Sequence, residues 1–155
     1  MVASLSWLLG KWRSEDGFGH YPTLKDFKYI EELEFTHIGQ PNIQFTFYAF
    51  NFETKKPMHR EVGFIRMDPE TKKVAFISAQ NTGLVEVEEG ELAAPQELHI
   101  QSHTVGRMTF GKEPGVKEIK RTFKMVGDEL EQVISMATSA TAMTEHLRIR
   151  YKKMP

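Results

Sequence analysis

The groups that could do chemistry in this 155-residue sequence are its six histidines, and there is no cysteine to compete with them. That absence removes disulfide frameworks, thiolate metal sites and a thiol nucleophile. The histidines do not all invite a role. His99 and His103 share a face with Gln101 and read as solvated, and His20 and His37 fall at positions that read as loops. His59 and His146 remain. No serine, histidine and aspartate follow one another as in a hydrolase triad, and no glycine-rich phosphate loop opens a helix. The paired carboxylates fall on turns and polar faces. An enzyme that works without a cofactor is therefore poorly supported.

Composition narrows the class without naming a function. Lysine plus arginine is 20 and aspartate plus glutamate 21, a formal net charge of −1. A dedicated binder of nucleic acid or of an anionic membrane would carry a clustered basic excess, so neither partner is expected. Hydrophobic residues at 40% and charged residues at 26% are globular values that exclude disorder. No apolar run approaches the roughly 18 residues that span a bilayer, and the opening residues lack a basic leader. One domain over residues 1–155, in a reducing intracellular setting, is the expectation.

The elements that must position the histidines are strands. Short alternating segments separated by turn residues predict strands at Glu31–Phe35, Asn42–Phe52, Arg60–Met67, Lys73–Ala79, Leu84–Glu88, Glu97–Ser102, Val105–Phe110, Lys117–Val126, Glu129–Ala137 and His146–Lys152. Ser4–Leu9 and Pro22–Phe27 are the stretches that read as helical. In Leu84–Glu88, alternation sets Val85 and Val87 on one face and Glu86 and Glu88 on the other, which reads as the solvated one. Arg148, Arg150, Lys152 and Lys153 read as a second solvated face, or as the source of a charge partner for an anionic ligand. The tetrapeptide ETKK at Glu53 and Glu70 reads as repeated turn chemistry. About ten antiparallel strands must close or split to hide their edges, and a closed barrel with a short N-terminal helical plug is favoured. Phe45, Phe47, Phe64, Phe76 and Met136 are the inward candidates, and such a barrel can hold one small ligand.

Gly10-Lys11-Trp12 followed by Gly17, Gly19 and Tyr21-Pro22-Thr23 resembles the opening GxWxGxG and YPT motifs of the nitrobindin family. The resemblance continues through Lys56–Glu61, Phe76–Gly83, Met136-Ala137-Thr138 and His146-Leu147. It is strongest to the animal branch, which includes the barrel at the C-terminus of a THAP-type zinc-finger protein. Arg13-Ser14-Glu15-Asp16 lengthens the spacing between Trp12 and Gly17, a departure that puts this loop's ligand contact in doubt. A zinc finger itself needs cysteine ligands that this chain lacks.

The resemblance implies a lipocalin-like, ten-stranded antiparallel barrel that binds one haem b per chain, mainly ferric, with His146 as axial ligand of the iron. It also implies that Thr23, Met58, His59, Gln80 and Met136 contact the cofactor. Imidazole suits haem iron, and no thiolate is present to replace it. The implied activity is haem-dependent isomerisation of peroxynitrite to nitrate through the iron at His146, with binding of nitric oxide. The implied assembly is a homodimer, in the cytoplasm and also the nucleus. Barrel physics alone leaves a second function open, that of a carrier of a fatty acid or another apolar ligand. Strict alternation puts His146 on the face of Arg148 and Arg150, opposite Leu147, Ile149 and Tyr151. An inward His146 therefore requires a β-bulge at the strand's start.

Overall fold

In a computed structural model that describes residues 2–155, ten strands close on themselves. They are β1 (Gly10–Tyr21), β2 (Leu24–His37), β3 (Asn42–Asn51), β4 (Pro57–Met67), β5 (Val74–Gln80), β6 (Leu84–Ala94), β7 (Glu97–Arg107), β8 (Val116–Val126), β9 (Glu129–Thr138) and β10 (Thr144–Lys153). Every strand pairs antiparallel with its sequence neighbours, and β1 pairs with β10 to close the ring. Closure leaves no sheet edge unpaired.

The ten strands differ from those expected in how they are composed. β1 was not foreseen, because its alternation breaks at Glu15 and Asp16, which are both exposed. The register against β10 and β2 shifts at that point, so a bulge absorbs the extra spacing between Trp12 and Gly17 and the strand continues. His20 accordingly lies in β1, and His37 ends β2, neither in a loop. Pro22–Phe27 is not helical: Pro22 and Thr23 turn the chain and Leu24 begins β2. Glu97–Ser102 and Val105–Phe110 are one strand, β7, which stops at Arg107 and leaves Phe110 beyond it.

The two ETKK segments do the same work. Lys55 and Lys72, at matching positions, both take left-handed backbone angles (φ 60° and 63°). In each turn a preceding side chain accepts from the backbone: Asn51 Oδ1 from Glu53 and Thr54, Asp68 Oδ1 from Glu70. Such Asx turns tolerate the left-handed residue they create.

A 3₁₀ helix, Val2–Leu8, plugs one end. Leu5 and Leu8 are buried there, and Trp12 Nε1 donates to the Leu8 carbonyl at 2.8 Å. Above the plug the interior is filled by Leu33, Phe35, Phe45, Phe76 and Phe123, with the Phe45 and Phe76 rings stacked at 4.5 Å. Phe64 is an exception among the expected inward aromatics. It faces outward, because Gly63, Ile65 and Met67 take the inner positions of β4, a one-residue slip that exchanges the faces of the whole segment.

β6 is inverted in the same sense. Glu86 and Glu88 are buried inside the barrel, and Val85 lies outside. The solvated-face reading of these two glutamates is therefore wrong. What brings them in is Arg121 of β8, itself buried, whose guanidinium they share. Glu89 and Glu91, further along, stay at the surface.

Candidate functional site

The aromatic filling stops partway up, and the other half of the barrel is a cavity of about 350 Å³ open at the end opposite the plug. Met58, His59, Gln80, Met136 and His146 all line it. Thr23 does not: it is exposed in the turn between β1 and β2 at the mouth.

His146 enters the cavity through an irregularity in β10. Glu145 pairs with Ser135 and Leu147 with Ile134, so two residues of β10 answer one step of β9 and His146 is the extra one. This bulge reconciles an inward His146 with outward Arg148 and Arg150, while Ile149 and Tyr151 keep the inner face. The two arginines pair with the buried carboxylate of Glu131, and Arg148 also with Glu145. They are thus committed on the outer face, away from the cavity.

The imidazole is held in a defined orientation. Its Nδ1 donates to the His20 carbonyl at 3.1 Å, which fixes the tautomer and leaves the Nε2 lone pair free. The Tyr21 ring stands edge-on at 5.3 Å and Phe27 at 6.2 Å between centroids. Tyr21 is anchored in turn by its hydroxyl, which donates to the Met136 carbonyl at 2.9 Å. Gly19 makes room for this arrangement, since a Cβ there would lie 2.2 Å from the Phe27 ring. Burial lowers the pKa of His146, and the neighbouring His59 and His20 add to that, outweighing the His20 carbonyl, which raises it. A neutral imidazole with its lone pair aimed from an anchored ring is the state that binds iron.

His59 also lines the cavity and is held below its ordinary pKa, chiefly by burial. Its ring makes no hydrogen bond among the described residues, so nothing comparable orients it. No three His, Asp or Glu side chains gather to hold a bare metal ion among the described residues. The single anchored histidine beside Met58, Met136, Phe27, Ile134 and Leu147 instead fits a flat, apolar metal complex that needs one protein ligand. Lys112 is the one cavity-lining lysine or arginine without a carboxylate partner among the described residues. Arg107 pairs with Glu113, and Arg121 is enclosed by acids.

The cavity floor is polar, and sequence reading missed it. Arg121 Nη2 bonds Glu61 at 3.0 Å and Glu86 at 3.1 Å, Nε bonds Glu88 at 3.1 Å, and Nη1 reaches Gln132 at 2.8 Å. Gln80 Nε2 joins Glu61 and Glu86, which accounts for that residue's inward position. Gln132 donates to the Tyr151 hydroxyl, which donates to Glu31. The signal was available: Arg121 shares the inner face of β8 with Ile119 and Phe123, and Glu31 that of β2 with Leu33 and Phe35.

Burial pushes Glu88 well above the usual carboxylate range and Glu31 up to about 7, with Tyr151 and Arg121 opposing the rise at Glu31 and Glu61 adding to it. A carboxyl raised from 4.5 to about 7 contributes stability that is full below pH 4.5 and is lost as pH rises through about 7. The shift corresponds to something on the order of 3 kcal/mol. Urea midpoints should therefore fall between about pH 5 and about pH 8 in the native chain. In Glu31→Gln the fall should be smaller by this amount. Equal slopes would show that Glu31 is ionised throughout.

Comparison with known proteins places the chain among haem-binding barrels. A family profile described as a THAP4-like, haem-binding β-barrel domain matches residues 1–153. The rat protein named peroxynitrite isomerase THAP4 is 54% identical over 156 residues, covering 99% of this chain and 27% of that protein. The chain thus spans about a quarter of the length of such relatives. An Arabidopsis thaliana protein named peroxynitrite isomerase Rv2717c is 38% identical over 99% of this chain and 89% of its own length. The crystal structure of Rv2717c from M. tuberculosis superposes with a TM-score of 0.87 at 27% identity, covering 99% of this chain and 97% of that one.

Proposed function

This chain belongs to the THAP4-like haem-binding β-barrel family, and from that premise we propose that it is a haem-dependent peroxynitrite isomerase with His146 as the axial ligand. The observation that carries the proposal is the bulge that turns His146 into the cavity, with its Nδ1 already committed to a carbonyl. When bound, ferric haem b supplies a Lewis-acidic iron that helps the O–O bond of peroxynitrite break and its fragments recombine as nitrate. The chain's own residues do the rest. A neutral His146 would hold the iron as its one protein ligand, which would leave the metal able to take peroxynitrite or nitric oxide. Met58, Met136, Ile134 and Leu147 exclude water and restrain escaping fragments. Gln80 sits on β5, five strands from β10 around the ring, so it and His59 on adjacent β4 supply the polar groups of the far wall. Lys112 would be the cation available to a propionate, and Thr23, on the rim turn outside the cavity lining, would reach the cofactor only at its exposed edge.

A carrier of fatty acids is a weaker reading. The cavity presents Glu31 and Glu61, and its deep cation, Arg121, is already shared among three glutamates. A carboxylate entering there would meet further carboxyl groups and no free guanidinium, which opposes binding. The test of the function is the product. Ferric protein should raise the yield of nitrate from peroxynitrite and protect free tyrosine from nitration in parallel, and unchanged yields would reject catalysis.

The homodimer also belongs to this proposal, and an outer patch supports it. Val62 (49% exposed), Phe64 (42%), Ile77 (40%) and Val85 (53%) lie on three adjacent strands, and registers Phe64↔Ile77↔Val87 and Val62↔Ala79↔Val85 make them two continuous rungs. Contiguous exposed apolar surface of this kind marks association sites. Phe64→Glu should convert a dimer to a monomer in analytical ultracentrifugation, with haem binding retained. A native chain that sediments as a monomer would remove the dimer. The cysteine-free sequence fits the intracellular, cytoplasmic setting that goes with this reading.

A further inference from the structure

The net charge of −1 conceals a segregated distribution at the cavity mouth. Five turns form that end of the barrel, at residues 22–23, 52–56, 81–83, 108–115 and 139–143. Four of the chain's exposed large apolar side chains stand on or beside them: Phe110 at 82%, with Leu24, Phe52 and Met108. Phe110 sits in the loop whose Gly111, Lys112 and Pro114 line the cavity, yet it points away from the cavity into solvent.

Around these tips lysine is in excess. Lys25, Lys28, Lys55, Lys56 and Lys112 are exposed, and none pairs with a carboxylate among the described residues. Lys28 and Lys55 lie over the Phe52 ring, at 5.8 and 5.0 Å. Of the acids of this end, Glu113 meets Arg107 and Glu145 meets Arg148, while Asp26 hydrogen-bonds His20 and Glu53 and Glu118 have no lysine or arginine partner among the described residues, so the unpaired lysines outnumber the unmatched acids. The turns of the plugged end are mixed, with Lys72 and Lys73 beside Asp68 and Glu70 in one and Asp128 and Glu129 at another.

We propose that the mouth rim docks the barrel onto an anionic phospholipid surface, with Phe110 as the inserting anchor and the rim lysines as the electrostatic contact. Apolar tips ringed by unpaired lysines match the layered chemistry of such an interface, where cations meet headgroups and aromatic rings enter the acyl boundary. The near-neutral total, which argued against membranes, is a sum over the whole chain that includes the buried glutamates, so it does not record a local excess at the rim. Docked this way, the open end of the cavity faces the bilayer, from which an apolar cofactor can enter. Only that last consequence rests on the haem-binding reading; the docking rests on the rim.

Vesicle co-sedimentation of the full chain, haem-free and haem-loaded, tests it with phosphatidylcholine alone and with phosphatidylserine added. The native chain should bind the serine-containing vesicles, ignore the neutral ones, and be released by salt. Phe110→Asp should weaken binding about tenfold while leaving the haem titration unchanged. The double variant Lys55→Glu/Lys56→Glu should abolish it. No binding to anionic vesicles, equal binding to both kinds, or native-like binding by Phe110→Asp would overturn the proposal. So would equal affinity for an acidic polypeptide, which would make the partner a protein. A chain that binds vesicles but takes up no haem would uphold docking and reject the haem reading.

Discussion

Replacing Arg121 with methionine is expected to destabilise the barrel by about 3–5 kcal/mol, the cost of leaving buried carboxylates without their counter-charge. Arg121 is 3% exposed, and three glutamates converge on it from β4 and β6. Its guanidinium also lies 4.3 Å above the Phe76 ring, so the aromatic filling loses a contact as well. Set against a total stability of about 5–15 kcal/mol, this is a large fraction of the whole. The three glutamates should not respond alike. Burial already holds Glu88 toward its protonated form, so Glu88→Gln alone should cost little. Arg121→Met combined with glutamine at positions 61, 86 and 88 should recover most of the loss, because removing both sides of a buried ion cluster is far cheaper than removing one. Urea denaturation of the three variants measures this, and a single Arg121→Met variant with a native midpoint would show that the cluster is not ionised.

The second large effect is on haem. His146→Leu should lower haem affinity by more than about a hundredfold, since changing even the partners of a metal ligand costs 10–100-fold and this change removes the ligand itself. The fold should survive it. His146 sits on a bulge at the rim, above the packed aromatic layer, so the apoprotein's urea midpoint should move far less than the roughly 2–5 kcal/mol of a core truncation. An unchanged titration and an unchanged ferric spectrum in His146→Leu would pass the role to His59, the other histidine in the cavity wall.

How much of this was legible in the sequence depended on whether each strand kept its period. β3, β5 and β8 alternate, and their expected positions, like that of β9, agree with the structure to within a residue or two. β1 escaped notice because Glu15 and Asp16 interrupt its alternation with a bulge, a feature that pairing with β10 and β2 defines and the local pattern does not. β4 and β6 were found but faced the wrong way. Placing valine and phenylalanine inside and glutamate outside is sound only where the interior is apolar. Here one arginine on β8, four strands from β4 and two from β6 around the ring, reverses the preference of both. That coupling is long-range, and only the closed ring displays it. The bulge at His146 was different: alternation made an inward histidine impossible without one, so the conflict itself announced the feature.

Stopped-flow decay of peroxynitrite at fixed pH decides whether haem held by His146 makes the activity, comparing the ferric haem-loaded chain, the haem-free chain and His146→Leu given the same haem. The loaded native chain should accelerate decay in proportion to its concentration, while the other two follow the buffer. Decay at the buffer rate by a native chain that shows a histidine-ligated spectrum would contradict it, and so would acceleration by His146→Leu equal to the native rate.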